Sequence, residues 1–229
     1  MSLESIKNNL ASIQQQIKDI CIDAGRSTAE VNLLPVTKKQ PLEKLQYLYE
    51  VGEKSFGENR VQEMNEKAEQ LPKDIEWHLI GSLQSNKVRP ALQNASYIHS
   101  VGSIKLLNRI NTVAGEDGKH PKIFLQVNIT EEEQKGGFPV SKLAEAIETA
   151  AHCENISLVG LMTMGAADQG KLETQMVFQQ LKALRTQYLS KYPQLTELSM
   201  GMSGDFPLAI LEGSTYIRVG SLLLGAREY

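Results

Sequence analysis

Apolar residues recur at Leu3, Ile6, Leu10, Ile13, Ile17 and Ile20, in steps of three and four. That spacing draws one face of an amphipathic helix over residues 3–24, with Gly25 as its stop. Beyond it the period changes. Short apolar, β-branched runs at 32–38, 54–57, 76–81, 97–101, 122–129, 156–164, 197–203 and 216–220 alternate with helical patterns at 42–51, 58–70, 85–93, 104–114, 140–152, 172–192 and 206–213. Strands joined through helices must lie parallel, with right-handed crossovers.

Eight such units in about 200 residues fit a closed (β/α)8 TIM barrel, which begins near that size. An open doubly wound sheet is the alternative. Its dinucleotide-binding version is weakened because no Gly-x-Gly-x-x-Gly follows the first strand. Little chain follows the last strand, too little for a full eighth covering helix. The extra N-terminal helix is therefore expected to cover the barrel where strands one and eight meet. No linker or low-complexity stretch interrupts residues 1–229, so the pattern predicts a single domain.

The totals narrow the possible partners. A net charge of -3 gives no general attraction to nucleic acid or anionic membrane, so an anion site has to be local. No apolar stretch reaches the ~20 residues of a membrane span, and the N-terminus lacks the apolar core of a secretion signal. Cys21 and Cys153 are far apart, as expected for reduced thiols in the cytoplasm. His78, His99, His120 and His152 show no metal-ligand spacing, so no metal site is expected. Glu131–Glu133 reads as a solvated loop.

In a barrel the chemistry collects at the C-terminal ends of the strands. Lys38 ends strand one; there it is either an ordinary lysine past a strand or an imine-forming one. Glu58, Asn59 and Arg60 follow strand two. Ser203, Gly204 and Asp205 end strand seven, just before a short helix, where free N–H groups attract anions. The plainer reading makes Ser203 or Asp205 an N-cap. Gly220 and Ser221 follow strand eight, and loops seven and eight are where barrels hold phosphate. Arg218 shares a strand face with Gly220. If that face is the interior, the guanidinium needs an acceptor or an anion; the alternative is an outward salt bridge. Lysine, phosphate cradle and arginine together point to a phosphorylated aldehyde held as an imine, with pyridoxal 5′-phosphate (PLP) the leading candidate and a sugar-phosphate aldolase the competing one. The loop from Gly81 to Lys87 is read as a helix cap or a second anion site.

Several stretches carry a resemblance. Leu34-Pro35-Val36-Thr37-Lys38, Phe56-Gly57-Glu58-Asn59-Arg60-Val61-Gln62-Glu63, Trp77-His78-Leu79-Ile80-Gly81, Leu198-Ser199-Met200-Gly201-Met202-Ser203 and Gly213-Ser214-Thr215-Tyr216-Ile217-Arg218-Val219-Gly220 resemble the pyridoxal phosphate homeostasis protein family. The similarity runs from about residue 33 to 227. Ser82 and Gly165 depart from it where histidine or proline, and proline, are usual; Ser221 replaces a common threonine but keeps the hydroxyl.

The resemblance implies a PLP-binding barrel related to the N-terminal domain of alanine racemase. Lys38 matches the Schiff-base lysine and Asn59 a cofactor-pocket asparagine. Ser203, Gly220 and Ser221 match the phosphate grip, and Arg218 the partner of the pyridine nitrogen. It further implies a carrier or regulator of PLP, with no catalytic residue assigned and PLP-dependent apoenzymes as recipients. A monomer is implied too, because the racemase dimerises through a domain this sequence lacks. The competing function is a PLP-dependent enzyme such as an amino-acid racemase, which needs a second acid–base group opposite the lysine.

Overall fold

The computed structural model describes residues 2–130, 136–165 and 170–225; Glu131–Glu133 and Lys135 fall outside them. Nine strands form in chain order: β1 (Asn32–Pro35), β2 (Ser55–Glu58), β3 (Glu76–Leu79), β4 (Ala95–Val101), β5 (Lys122–Asn128), β6 (Phe138–Pro139), β7 (Ser157–Met162), β8 (Glu197–Met202) and β9 (Tyr216–Val219). Eight run parallel in the spatial order β1-β9-β8-β7-β5-β4-β3-β2. The two ends of that path meet. Val36 bridges Gly57, and the Thr37 N–H donates to the Gly57 carbonyl at 3.0 Å. The sheet is thus an eight-stranded barrel, as the alternating pattern predicts, and not an open sheet. The two-residue β6, which the sequence does not announce, pairs with the end of β5.

The strands are largely buried because both their faces are covered. In β5, Ile123, Phe124, Leu125, Gln126 and Val127 are all buried in succession. Outward residues pack under the helices. Inward, Tyr97, Phe124 and Met162 form a small separate cluster with Val159 and Tyr216 against it.

The helices are α1 (Leu3–Asp23), α2 (Leu42–Glu50), α3 (Val61–Gln70), α4 (Val88–Leu92), α5 (Ile104–Glu116), α6 (Leu143–Ala151), α7 (Lys171–Leu189), α8 (Phe206–Leu211) and α9 (Ser221–Leu224). The helix expected from residue 58 starts only at Val61, because Glu58 belongs to β2 and Arg60 is extended (φ -124°). The four-residue α9 follows the last barrel strand.

Helix α1 is capped by the Ser2 hydroxyl, which accepts from the Ser5 N–H at 3.2 Å. It buries Ile6, Leu10, Ile13, Ile17 and Cys21. At about 1.5–3 kcal/mol per large buried side chain, that face secures the helix. It lies against α8 and α9, the helices flanking β9. The Asn9 amide donates to the Leu223 carbonyl at 3.1 Å, and just past the helix Arg26 donates to the carbonyls of Ile210 (2.7 Å) and Ser214 (2.9 Å). The extra helix therefore covers the barrel where β1 and β9 meet, the place its unpaired apolar stripe predicts.

Candidate functional site at the C-terminal rim of the barrel

Strand β1 ends in a tight turn. The Gln40 N–H donates to the Thr37 carbonyl at 3.1 Å, and Lys39 has φ 57°, the one positive value at a non-glycine among the described residues. A left-handed lysine costs about 1 kcal/mol and has to be held. Its N–H donates to Glu63 Oε1 at 2.5 Å. Beneath it a buried cluster fixes the preceding residue. Lys67 Nζ donates to the Thr37 carbonyl (2.7 Å), to Glu58 Oε1 (2.7 Å) and to Glu63 Oε1 (2.8 Å), and the Thr37 hydroxyl donates to Glu58 Oε1 at 2.7 Å. Burial pushes the Glu58 carboxyl above its ordinary range, against the pull of the Lys67 charge. The strand predicted to reach Lys38 thus stops at Pro35, and Lys38 is presented on the turn, half-buried.

In the neighbouring strand Arg218 lies level with Leu34. It faces inward and is buried, which rules out the outward salt bridge. Its acceptors are neutral: Nη1 donates to Ser199 Oγ at 2.7 Å and Nη2 to the Thr163 carbonyl at 3.0 Å. Burial lowers its pKa to about 10, with Asp205 opposing the shift, so it remains a cation at neutral pH. Leu34, level with it on β1, shares its face of the sheet.

Ser203 joins the two loops expected to hold an anion. Its hydroxyl oxygen accepts from the N–H groups of Gly220 (3.2 Å) and Leu222 (3.4 Å), so the loop after β8 is stitched to the start of α9. Asp205 occupies the N-cap position of α8 but makes no side-chain cap there; its Oδ1 instead accepts from the Met202 N–H at 2.5 Å. Ser221 is exposed at the first position of α9 and Gly204 is exposed in its loop. A Cβ at Gly204 would meet nothing within 4 Å, whereas one at Gly220 would press on the Val36 carbonyl at 3.3 Å.

Asn59 comes directly after β2. Half-buried, it lines a groove of about 590 Å³ with Arg60, Ser82, Gln84 and Lys87. Its backbone is packed so closely on Gly81 that any Cβ there would strike the Asn59 carbonyl. The loop from Gly81 to Lys87 ends in a 3-10 turn and the five-residue α4.

Two histidines that look scattered in the sequence meet inside the barrel. His78 Nδ1 and His99 Nε2 are 2.9 Å apart, and His99 Nδ1 lies 2.8 Å from Ser199 Oγ. They make no metal centre: among the described residues no three His, Cys, Asp or Glu side chains group as metal ligands. Residues 21 and 100 positions apart share this contact only because β3, β4 and β8 curve around one interior. The one hint in the sequence is three polar residues inside otherwise apolar strands.

The fold and rim define a (β/α)8 barrel with its polar groups gathered at the C-terminal ends of the strands. A model of the alanine racemase N-terminal domain family matches residues 1–228. A pyridoxal phosphate homeostasis protein of Vibrio alginolyticus is 36% identical over 233 residues, covering 99% of this chain and 100% of that one. PipY of Synechococcus elongatus PCC7942, whose solved structure has PLP bound, is 37% identical with a TM-score of 0.86, over 96% of this chain and 100% of that one. An alanine racemase of Bartonella henselae shares the fold at 16% identity and a TM-score of 0.76, over 99% of this chain and 60% of that one. The chain belongs to the alanine racemase N-terminal domain family, among the pyridoxal phosphate homeostasis proteins.

Proposed function

We propose that this protein binds pyridoxal 5′-phosphate at the rim, on Lys38, and acts as a carrier or regulator of the cofactor rather than as an enzyme. The observation that carries this reading is the register of β1 with β9. It sets the turn bearing Lys38 beside the strand bearing Arg218, with the two Ser203-stitched loops alongside. The residues present fit the group. The loops offer the hydroxyls of Ser203 and Ser221, the N–H at the start of α9 and open space at Gly204 for a phosphate dianion. Arg218 offers a buried, permanent cation. Asn59, two residues past the Gly57 that bridges Val36, is proposed as a further pocket residue.

When bound, PLP supplies an aldehyde carbon that condenses with an amine, releasing water. Lys38 supplies that amine from a turn held on both sides. Arg218 would donate to the pyridine nitrogen and keep it unprotonated, which would weaken the electron withdrawal that racemisation needs. The interior tyrosines Tyr97 and Tyr216 cluster around Phe124, and Tyr97 accepts from Lys122 Nζ at 2.8 Å, at the opposite end of the strands. Both therefore lie away from the rim, where no proton can pass between them and a group on Lys38, and burial together with the Tyr97 hydrogen bond raises the Tyr216 pKa. We infer further that the protein works as a monomer in the cytoplasm and hands PLP to PLP-dependent apoenzymes. Lys38 is half-exposed, within reach of an acceptor protein, and no helix among the described residues is long and apolar enough to cross a membrane.

Borohydride reduction of the PLP-loaded protein, followed by peptide mass spectrometry, is expected to find the reduced adduct on Lys38 alone. An adduct on Lys39, or none, would refute the tether. Alanine racemisation is expected to stay at background at high protein concentration. Turnover that disappears in Lys38→Ala would overturn the carrier reading in favour of an enzyme.

A further inference from the structure

Arg218 is the inner end of a chain of four side chains drawn from β3, β4, β8 and β9: His78, His99, Ser199 and Arg218, linked at 2.9, 2.8 and 2.7 Å. Donor and acceptor roles along it follow from one fact: a guanidinium only donates. Ser199 Oγ therefore accepts from Arg218. If the Ser199 hydrogen goes to His99 Nδ1, then His99 carries its proton on Nε2 and donates it to His78 Nδ1. His78 then holds its own proton on Nε2, which has no partner. In the reverse arrangement His99 also donates to Ser199. The Ser199 hydrogen is then stranded in the interior and His78 Nε2 is left as a bare, unmatched nitrogen. One unpaired buried group costs less than two, so the first arrangement prevails.

Both imidazoles are neutral. Burial, with the charge of Lys122 behind it, lowers His78 to about 3, and burial beside His78 and Arg218 holds His99 far down. The rings are also fixed as bodies: His78 stacks on Tyr97 at 4.1 Å and His99 on Phe124 at 4.2 Å between centroids. Ser199 consequently cannot rotate its hydrogen toward Arg218 without breaking the bond to His99.

We propose that Ser199 and His99, backed by His78, are positioning residues that hold the Arg218 guanidinium in one plane for the pyridine nitrogen. This rests on the function proposed above and deepens it. The cofactor grip extends through the barrel interior, and its stiffness comes from a neutral relay that delivers no proton to the ring. Removing the Ser199 hydroxyl leaves Arg218 with the Thr163 carbonyl alone and frees the plane to tilt.

Two measurements test this. In the cofactor-free protein, nitrogen-15 NMR of the imidazoles is expected to show His78 and His99 both protonated on Nε2 only, and Ser199→Ala is expected to disturb the His99 pattern. A proton on His99 Nδ1 would overturn the relay. In the loaded protein, Ser199→Ala and His99→Phe, the latter keeping the stack on Phe124, are expected to weaken PLP about tenfold. Both are expected to move its absorbance in the direction that Arg218→Ala moves it. Ser199→Thr should restore the wild-type spectrum, and Ser199→Ala should add nothing in an Arg218→Ala background. Wild-type affinity and spectrum in both single variants, alongside a changed Arg218→Ala, would refute the positioning role while leaving the cofactor reading intact. An unchanged spectrum in Arg218→Ala refutes the ring contact itself. Wild-type protein that takes up no PLP refutes the function, whatever the tautomers show.

Discussion

Between pH 6.5 and pH 4.5 the folded protein is expected to lose roughly 2.5 kcal/mol of stability through His78, with His99 acting in the same direction, two histidines that never meet solvent. A histidine of the unfolded chain takes a proton near pH 6.5. In the barrel His78 does so only near pH 3, and His99 is also held well down. Below pH 6.5 the unfolded state thus binds two protons that the folded state refuses. Their contribution is complete above that pH and lost as pH falls, at about 1.4 kcal/mol per pH unit for His78. Glu58, Glu53 and Asp205, whose carboxyls burial raises, act in the opposite sense and offset part of the loss. Against a total stability of about 5–15 kcal/mol, the net effect is large. Urea unfolding at pH 7 and pH 5 measures it, and replacing His78 by Asn should flatten the dependence. Equal stability at the two pH values, or an unaltered slope in that variant, would contradict the account.

Replacing Lys67 by Met should be comparably severe. Its ammonium is the cation bonded to Glu58, whose side chain is 0% exposed, and it also holds the Thr37 carbonyl in the Lys38 turn. Breaking a buried pair from one side costs about 3–5 kcal/mol, because a lone carboxylate remains without compensation. The double replacement Lys67→Met with Glu58→Gln removes the stranded charge and keeps an acceptor for the Thr37 hydroxyl, so most of the stability should return. PLP affinity should not, since the turn still lacks the donor to Thr37. Denaturant midpoints and PLP titrations on the three proteins decide it. A single variant within 1 kcal/mol of wild type would show that Glu58 finds another partner or a proton at no cost.

What was readable in the sequence divides along physical lines. Strands covered on both faces write themselves as largely apolar runs, so β5 stands out directly. Arg218, a guanidinium inside such a run, announces an interior acceptor. Lys67 gives no such sign. Flanked by Gln62, Glu63, Glu66 and Glu69, it reads as part of a solvated helical face, and it becomes buried only once α3 lies on β2. The relay below Arg218 was hidden for another reason: its members belong to four strands, and no local period links them. β1 ends before Lys38, short of the run in the sequence, because the turn with its left-handed Lys39 is a conformational fact that side-chain pattern does not carry.

The pairing of β1 with β9 also has a kinetic consequence. Asn32 and Thr215, bonded at 3.0 Å, are 183 positions apart, so the lysine turn and the arginine strand come together only when the longest loop in the barrel closes. Contacts of that separation form late and set the pace of folding. Trp77, by contrast, sits in β3 beside its sequence neighbours β2 and β4. Tryptophan fluorescence and cofactor uptake are therefore two clocks on one folding reaction, the first started by local pairing and the second stopped by barrel closure. The protein becomes competent for its cofactor only as its last seam shuts.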